Sequence, residues 1–263
     1  MSILVKDQLG RNIELESPAK RIVSVVPSQT ELLFDLGLDE EIIGVTKFCI
    51  HPQQKVCLKH NVGGTKNLRL EAIANLTPDL VIANKEENTE ADINWLMDRF
   101  PVYVSDIENV NEALRMIEDI GVLVGQTDQA KTMSQSIASS FELIETNSRH
   151  KSVYLIWKNP YMAVGANNYI NDLMSVCGFD NLLGMHDSRY PELSIADMQR
   201  LKPELIFLSS EPFPFKDEHA KALSKILPES KIILVDGEMF SWYGSRMKLA
   251  ANYMQKLINS ELN

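Results

Sequence analysis

The sequence predicts an α/β protein built as two similar lobes joined by one long helix. Three observations carry that expectation: short apolar runs alternate with helix-period stretches, the chain repeats itself internally, and one long stretch free of glycine and proline separates the two copies.

The apolar runs fall at residues 21–26, 42–46, 80–83, 102–105, 153–156, 205–208 and 232–235. All are far shorter than the roughly 20 residues that a bilayer crossing needs, so they suit buried strands. Helix-period stretches lie between them at 31–36, 70–75, 110–124 and 195–201. Strands that alternate with helices imply parallel sheets with helical crossovers.

The repeat is most visible where LEAIANLTPDLVIA at 70–83 aligns without gaps on IADMQRLKPELIFL at 195–208. Each copy predicts a short helix that stops before Pro78 or Pro203, because proline cannot continue it. An acidic residue and a buried strand follow in both. Residues 102–106 parallel 232–236, and the turn at Gly37 parallels the one at Gly178. Three matches in the same order predict two lobes of one design.

Between the copies, residues 127–148 place Ala130, Met133, Ile137, Phe141 and Ile144 at steps of three and four. That is one helical face. A helix of this length spans about 30 Å. The expected division is an N-terminal lobe at 1–125, a connecting helix at 126–149 and a C-terminal lobe at 150–263.

Composition narrows the function classes. A formal charge of −10 over 263 residues excludes nucleic acid as the main partner, since phosphate binding requires clustered Lys and Arg. Three cysteines make no disulfide framework, and Cys177 reads as a small core residue among Leu173, Met174 and Val176. Residues 1–9 lack the pattern of a secretion signal. A periplasmic location, with a leader removed, and a cytoplasmic one, with Met1 the native start, both stay open.

The motifs DQLGR at 7–11, RIVSVVPSQTEL at 21–32, GLD at 37–39, VGG at 62–64, LE at 70–71 and PDLVI at 78–82 occur in this order. Together they resemble the periplasmic binding proteins for cobalamin and ferric siderophores. The resemblance covers nearly the whole chain. It implies two Rossmann-like lobes bridged by a single helix (a class III substrate-binding protein) and a ligand held in the cleft between the lobes. It implies a monomer that delivers a metal chelate to an ABC importer permease: cobalamin or another corrinoid, a ferric siderophore, or haem. It implies no enzyme activity and no resident cofactor. In such proteins a glutamate on each lobe docks the permease. Glu71 falls on the first position, whereas Ala196, with Asp197 beside it, falls on the second. Of the aromatic cleft positions of cobalamin binders, Phe48 matches one, while Thr65 and Asn84 stand where tryptophans are expected. A cytoplasmic corrinoid or haem chaperone or sensor without an importer is the alternative. A metal-dependent enzyme using Glu86, Glu211 and Glu238 is a third reading.

Ligands of parallel α/β sheets bind at the carboxyl ends of strands. The corresponding loops supply Phe48, Trp157, Tyr161, Phe213, Phe215, Phe240, Trp242 and Tyr243, with polar Glu86, Glu87, Glu211, Glu238 and Arg246, and Arg189 is a further candidate ligand-binding residue. A mainly apolar site with a few polar groups suits a large flat chelate, although about half of these aromatics would serve equally as lobe core. Cys49 and His51 are candidate ligands for a cargo metal. With Cys57 and His60 they also raise a zinc site, in a spacing that matches no structural zinc motif. His150, His186 and His219 read as surface residues. Ser28, Ser210 and Ser241 lack the glycine-flanked elbow of a hydrolase nucleophile. Because the repeat places Glu86 and Glu211 after equivalent strands, both are expected at the ligand. They would be partly solvated at the cleft mouth, or paired with Arg189, Arg246 or Lys158, or used on ligand amide groups and metal. Trp242 is expected to form an apolar wall of the cleft.

Overall fold

All seven predicted strands form in the computed structural model, which describes residues 2–146 and 148–261. The chain divides into two units. Unit 1 comprises Met1–Ile107, Asn111–Ser139 and Tyr243–Lys248; unit 2 comprises Glu108–Val110, Ser140–Trp242 and Leu249–Asn263.

Unit 1 begins with a hairpin of β1 (Ile3–Lys6) and β2 (Asn12–Leu15). There follow β3 (Ile22–Ser24), α1 (Pro27–Asp35), β4 (Ile42–Val45), α2 (Gln53–Val56), β5 (His60–Asn61), β6 (Gly63–Gly64), β7 (Asn67–Leu68), α3 (Leu70–Leu76), β8 (Leu80–Asn84), α4 (Glu90–Met97) and β9 (Val102–Ser105). Most of α5 (Val110–Leu123) and α6 (Thr127–Glu142) also lies here. The sheet runs β5-β4-β3-β8-β9 with every pairing parallel. Parallel strands are covered on both faces, so they need unbroken apolar runs. Val23, Val81, Ala83, Val102 and Val104 accordingly pack against Ile73 and Leu96 in the core.

The hairpin closes the outer edge of β9. The Asp7 carboxylate accepts the N–H of Val104, the Gln8 side chain accepts that of Asp106, and Arg11 donates to the carbonyl of Val102. Backbone groups that would otherwise template another strand are thereby satisfied. Each of the two strands carries a charged residue within its four positions, so neither reads as a buried apolar run, and sequence reading missed both.

Helix α6 was expected to run to residue 148 and ends at Glu142. Its 16 residues span about 24 Å. Ala130, Met133, Ile137 and Phe141 are buried, as the period requires, and Ile144 lies beyond the helix.

Unit 2 contains β10 (His150–Trp157), β11 (Tyr161–Ala163), α7 (Tyr169–Val176), β12 (Phe179–Asn181), β13 (Glu192–Leu193), α8 (Ile195–Leu201), β14 (Leu205–Ser209), α9 (Asp217–Ile226), β15 (Lys231–Val235), α10 (Gly237–Ser241) and most of α11 (Met247–Glu261). Strands β12-β10-β14-β15 are parallel neighbours, and β11 and β13 extend the sheet antiparallel.

The repeat therefore extends to topology, with β4-β3-β8-β9 answering β12-β10-β14-β15 in order and sense. It extends to single bonds as well. Both α3 and α8 end on a left-handed residue, Thr77 (φ 46°) and Lys202 (φ 48°), before the proline. The Asp79 carboxylate then accepts the N–H groups of Lys20 and Arg21, and Glu204 that of Lys151. Gly37 and Gly178 turn the chain after α1 and α7 at φ 81° and 77°, a region that only glycine enters without strain.

Candidate ligand-binding site

The predicted residues of the C-terminal half fall into three groups, the first two carried in unit 2 by β10 and the segments after β14 and β15. The first is aromatic. Strand β10 is buried from Ser152 to Leu155, then bulges against β11 between Leu155 and Trp157, and Trp157 emerges 40% exposed. A bulge re-aims the side chain that follows it. Phe213 meets the indole edge-on at 5.7 Å, and its N–H bonds the carbonyl of Ile156. Phe215 and His219 pack behind Phe213 at 4.8 and 5.4 Å. Phe215 is core, whereas Phe213 is half-buried. Tyr161, on β11, is partly buried, and that burial pushes its hydroxyl pKa up.

The second group centres on Glu211. Its carboxylate accepts the Ser241 hydroxyl at 2.6 Å and the Trp242 indole N–H at 3.0 Å. Burial pushes its pKa up, and the nearby charges of Glu238 and Asp236 add to this against those two bonds. Of the arrangements expected for Glu211, partial exposure is the one observed, with neutral donors in place of Arg189, Arg246 or Lys158. One expectation is corrected here. Trp242 is 8% exposed and its indole N–H is bonded to Glu211 at the end of α10, so it does not present an open wall. The physical reason is that an indole with a buried acceptor for its N–H gains from burying its rings. Phe240, on the same short helix, is fully buried against Tyr154. Glu238 lies in the first turn of α10, half-buried.

The third group is ionic. Arg189 pairs with Glu108, within unit 2. Arg246 belongs to unit 1, where its guanidinium forks onto Glu31 of α1 at 2.8 and 2.7 Å. It is 8% exposed, a structural ion pair rather than an open binding group, and Tyr243 beside it is equally buried. Sequence reading named neither Glu31 nor Glu108. The partners lie 215 and 81 residues away, and no local spacing announces them.

In unit 1 the loop after β8 is ordered by asparagines. Asn84 accepts the N–H groups of Glu86 and Glu87, and the buried Asn88 accepts that of Asn84 while donating to the carbonyls of Val25 and Thr65. The carbonyl of Glu86 takes a bond from Lys66. Glu86 is half-buried and Glu87 exposed. Ser209 repeats the role of Asn84 in unit 2 by accepting the N–H of Glu211, so the two glutamates stand at equivalent places in their own units. Phe48 is 49% exposed, with the Lys47 ammonium 4.9 Å from its ring centre.

The candidate metal ligands separate. Cys49 is buried against the hydroxyls of Thr30 and Thr46, and burial raises its thiol pKa, which opposes the thiolate a metal requires. Cys57 donates to the carbonyl of Gln54, while His60 is exposed on β5. His51 is half-buried. Among the described residues no group of three or more His, Cys, Asp or Glu side chains could hold a metal ion. At the docking positions, Glu71 is exposed in the first turn of α3 and Ala196 is exposed on α8. Asp197 closes a capping box with Ser194 and pairs with Arg200.

The sequence profile of the periplasmic binding protein family matches residues 22–228. The chain belongs to this family. Its members are substrate-binding proteins of transport, and the chain is not an enzyme. A vitamin B12-binding protein of Vibrio campbellii is 29% identical over 199 residues, covering 73% of this chain and 71% of its own. Among solved structures, the periplasmic vitamin B12-binding protein of Vibrio cholerae superposes with a TM-score of 0.79 at 20% identity, covering 93% of this chain and 99% of that one. A periplasmic haem-binding protein from Roseiflexus, in apo form, gives 0.78 at 18% identity, with 90% and 97% covered. Both show the class III fold that the sequence resemblance implied.

Proposed function

We propose that this chain binds a metal chelate with a flat or bulky apolar body, a corrinoid first and haem or a ferric siderophore next, and passes it to an ABC importer. One observation carries the reading. Large aromatic side chains, Trp157 in unit 2 and Phe48 in unit 1, remain exposed at the carboxyl ends of parallel strands, where α/β sheets receive ligands. Relatives named for vitamin B12 and haem support the chelate class.

The test is to mix the protein with cobalamin, haemin and a ferric siderophore, then separate it by gel filtration and read absorbance. Co-elution of at least one with a particle of monomer size supports the proposal. Failure of all three, with capture of an unrelated solute, refutes it.

A second reading, a soluble carrier without an importer, is favoured by one feature. Asp197 is engaged in its own helix cap and with Arg200, and Ala196 stands at the position that answers the exposed Glu71. Transport of the chelate by cells carrying Glu71→Ala decides between the two: lost uptake supports docking, and unchanged uptake supports the carrier.

A further inference from the structure

We infer that Trp157, buttressed by Phe213, is the platform on which the flat face of the chelate stacks, and that Trp242 takes no part. This rests on the binding-protein reading above and names the residue that recognises the ligand. Tryptophan carries one of the largest apolar areas of any side chain, so an open indole leaves unburied an area that a bound apolar body would cover. Trp157 ends β10 and Trp242 caps α10, the helix after β15, yet one is 40% exposed and the other 8%.

The fold builds that difference in. The bulge between Leu155 and Trp157 falls where β10 leaves its continuously buried run, Ser152 to Leu155, and the indole emerges beyond it. Phe213 then fixes it, edge-on at 71°, and is itself held by its backbone bond to Ile156 and by contacts with Phe215 and His219. A side chain immobilised before binding loses little rotamer freedom on binding, so its contact area converts to affinity efficiently. A conjugated macrocycle, corrin or porphyrin, presents the broad face that an indole stacks on.

The experiment measures cobalamin and haemin binding by absorbance titration with the full chain, alongside the melting temperature. Trp157→Ala is expected to weaken the bound chelate by about tenfold or more, from a lost aromatic contact and its buried area, with the melting temperature nearly unchanged. Trp157→Phe should stay within about threefold of wild type while Trp157→Leu does not, since only the first keeps a ring face. Phe213→Leu should weaken binding by a smaller factor because it frees the indole. Trp242→Phe should lower the melting temperature and leave affinity intact. The proposal is overturned if Trp157→Leu binds like wild type, or if Trp242→Phe carries the affinity loss instead. A wild-type protein that binds neither chelate overturns the binding-protein reading and this inference with it, an outcome distinct from normal binding by the Trp157 variants.

Discussion

Glu211 offers a direct test of how unit 2 holds Trp242. In Glu211→Ala the indole N–H loses its acceptor at 3.0 Å, whereas Ser241 keeps the carbonyl of Gly237 at 2.9 Å. One buried donor deprived of its partner costs about 1–3 kcal/mol, and the vacated volume adds to this, so the loss should be about 2 kcal/mol or somewhat more. Glu211→Gln keeps a carbonyl acceptor and removes the charge. The raised pKa fixes the sign of the pH dependence. A carboxyl whose pKa is higher in the folded state than in the unfolded state contributes its stability below the unfolded value. That stability is lost as pH rises through the folded value. Wild type and Glu211→Gln should therefore match at pH 4, and the glutamine variant should gain on wild type as pH rises from there to 7. Urea denaturation of the three proteins at pH 4, 5.5 and 7 measures this. A glutamine variant as unstable as the alanine one, with no pH trend, would refute the reasoning.

Three further outcomes are expected. Glu31→Ala or Arg246→Ala breaks a mostly buried, doubly hydrogen-bonded ion pair and should cost about 3 kcal/mol in urea denaturation. Arg246→Lys should not restore it, because lysine cannot reproduce the two-pronged bond; full rescue by lysine would show that charge alone matters. Thr77→Gly should raise stability by about 0.5–1 kcal/mol, the relief of a β-branched residue at φ 46° outweighing the added freedom of the unfolded chain. A lowered melting temperature contradicts it. With an aromatic disulfide reagent, the native chain should titrate a single thiol, Cys57, and three after unfolding. Cys49 and Cys177 are buried and their thiols pushed up, that of Cys177 to about 12. Rapid reaction of a second thiol in the native state argues against the packing around Cys49.

The architecture was legible because its signals are local and repeated. Parallel strands buried on both faces require apolar runs, and residues 102–105 and 195–201 formed a strand and a helix at the predicted bounds. Proline after each repeat helix fixed where the strand had to begin. The left-handed caps were not legible: Thr77 and Lys202 are poor choices for φ near 47°, and the demand comes from the strand that must follow directly. The β1–β2 hairpin was equally silent, since its purpose is to close an edge that exists only once β9 is in a sheet.

By itself the sequence determined the fold class, the internal repeat and the family, since each follows from the order of residue types along the chain. It also gathered the aromatic and acidic residues at the strand ends without sorting them. Tertiary structure did the sorting. Trp242 turned inward because Glu211, 31 residues away, offers its indole an acceptor, and Trp157 turned outward because a bulge shifts its register on β11. Arg246 became a structural ion pair because Glu31 of α1 comes to meet it. Burial and pairing depend on which distant segments share a neighbourhood, and that is decided by packing the whole chain.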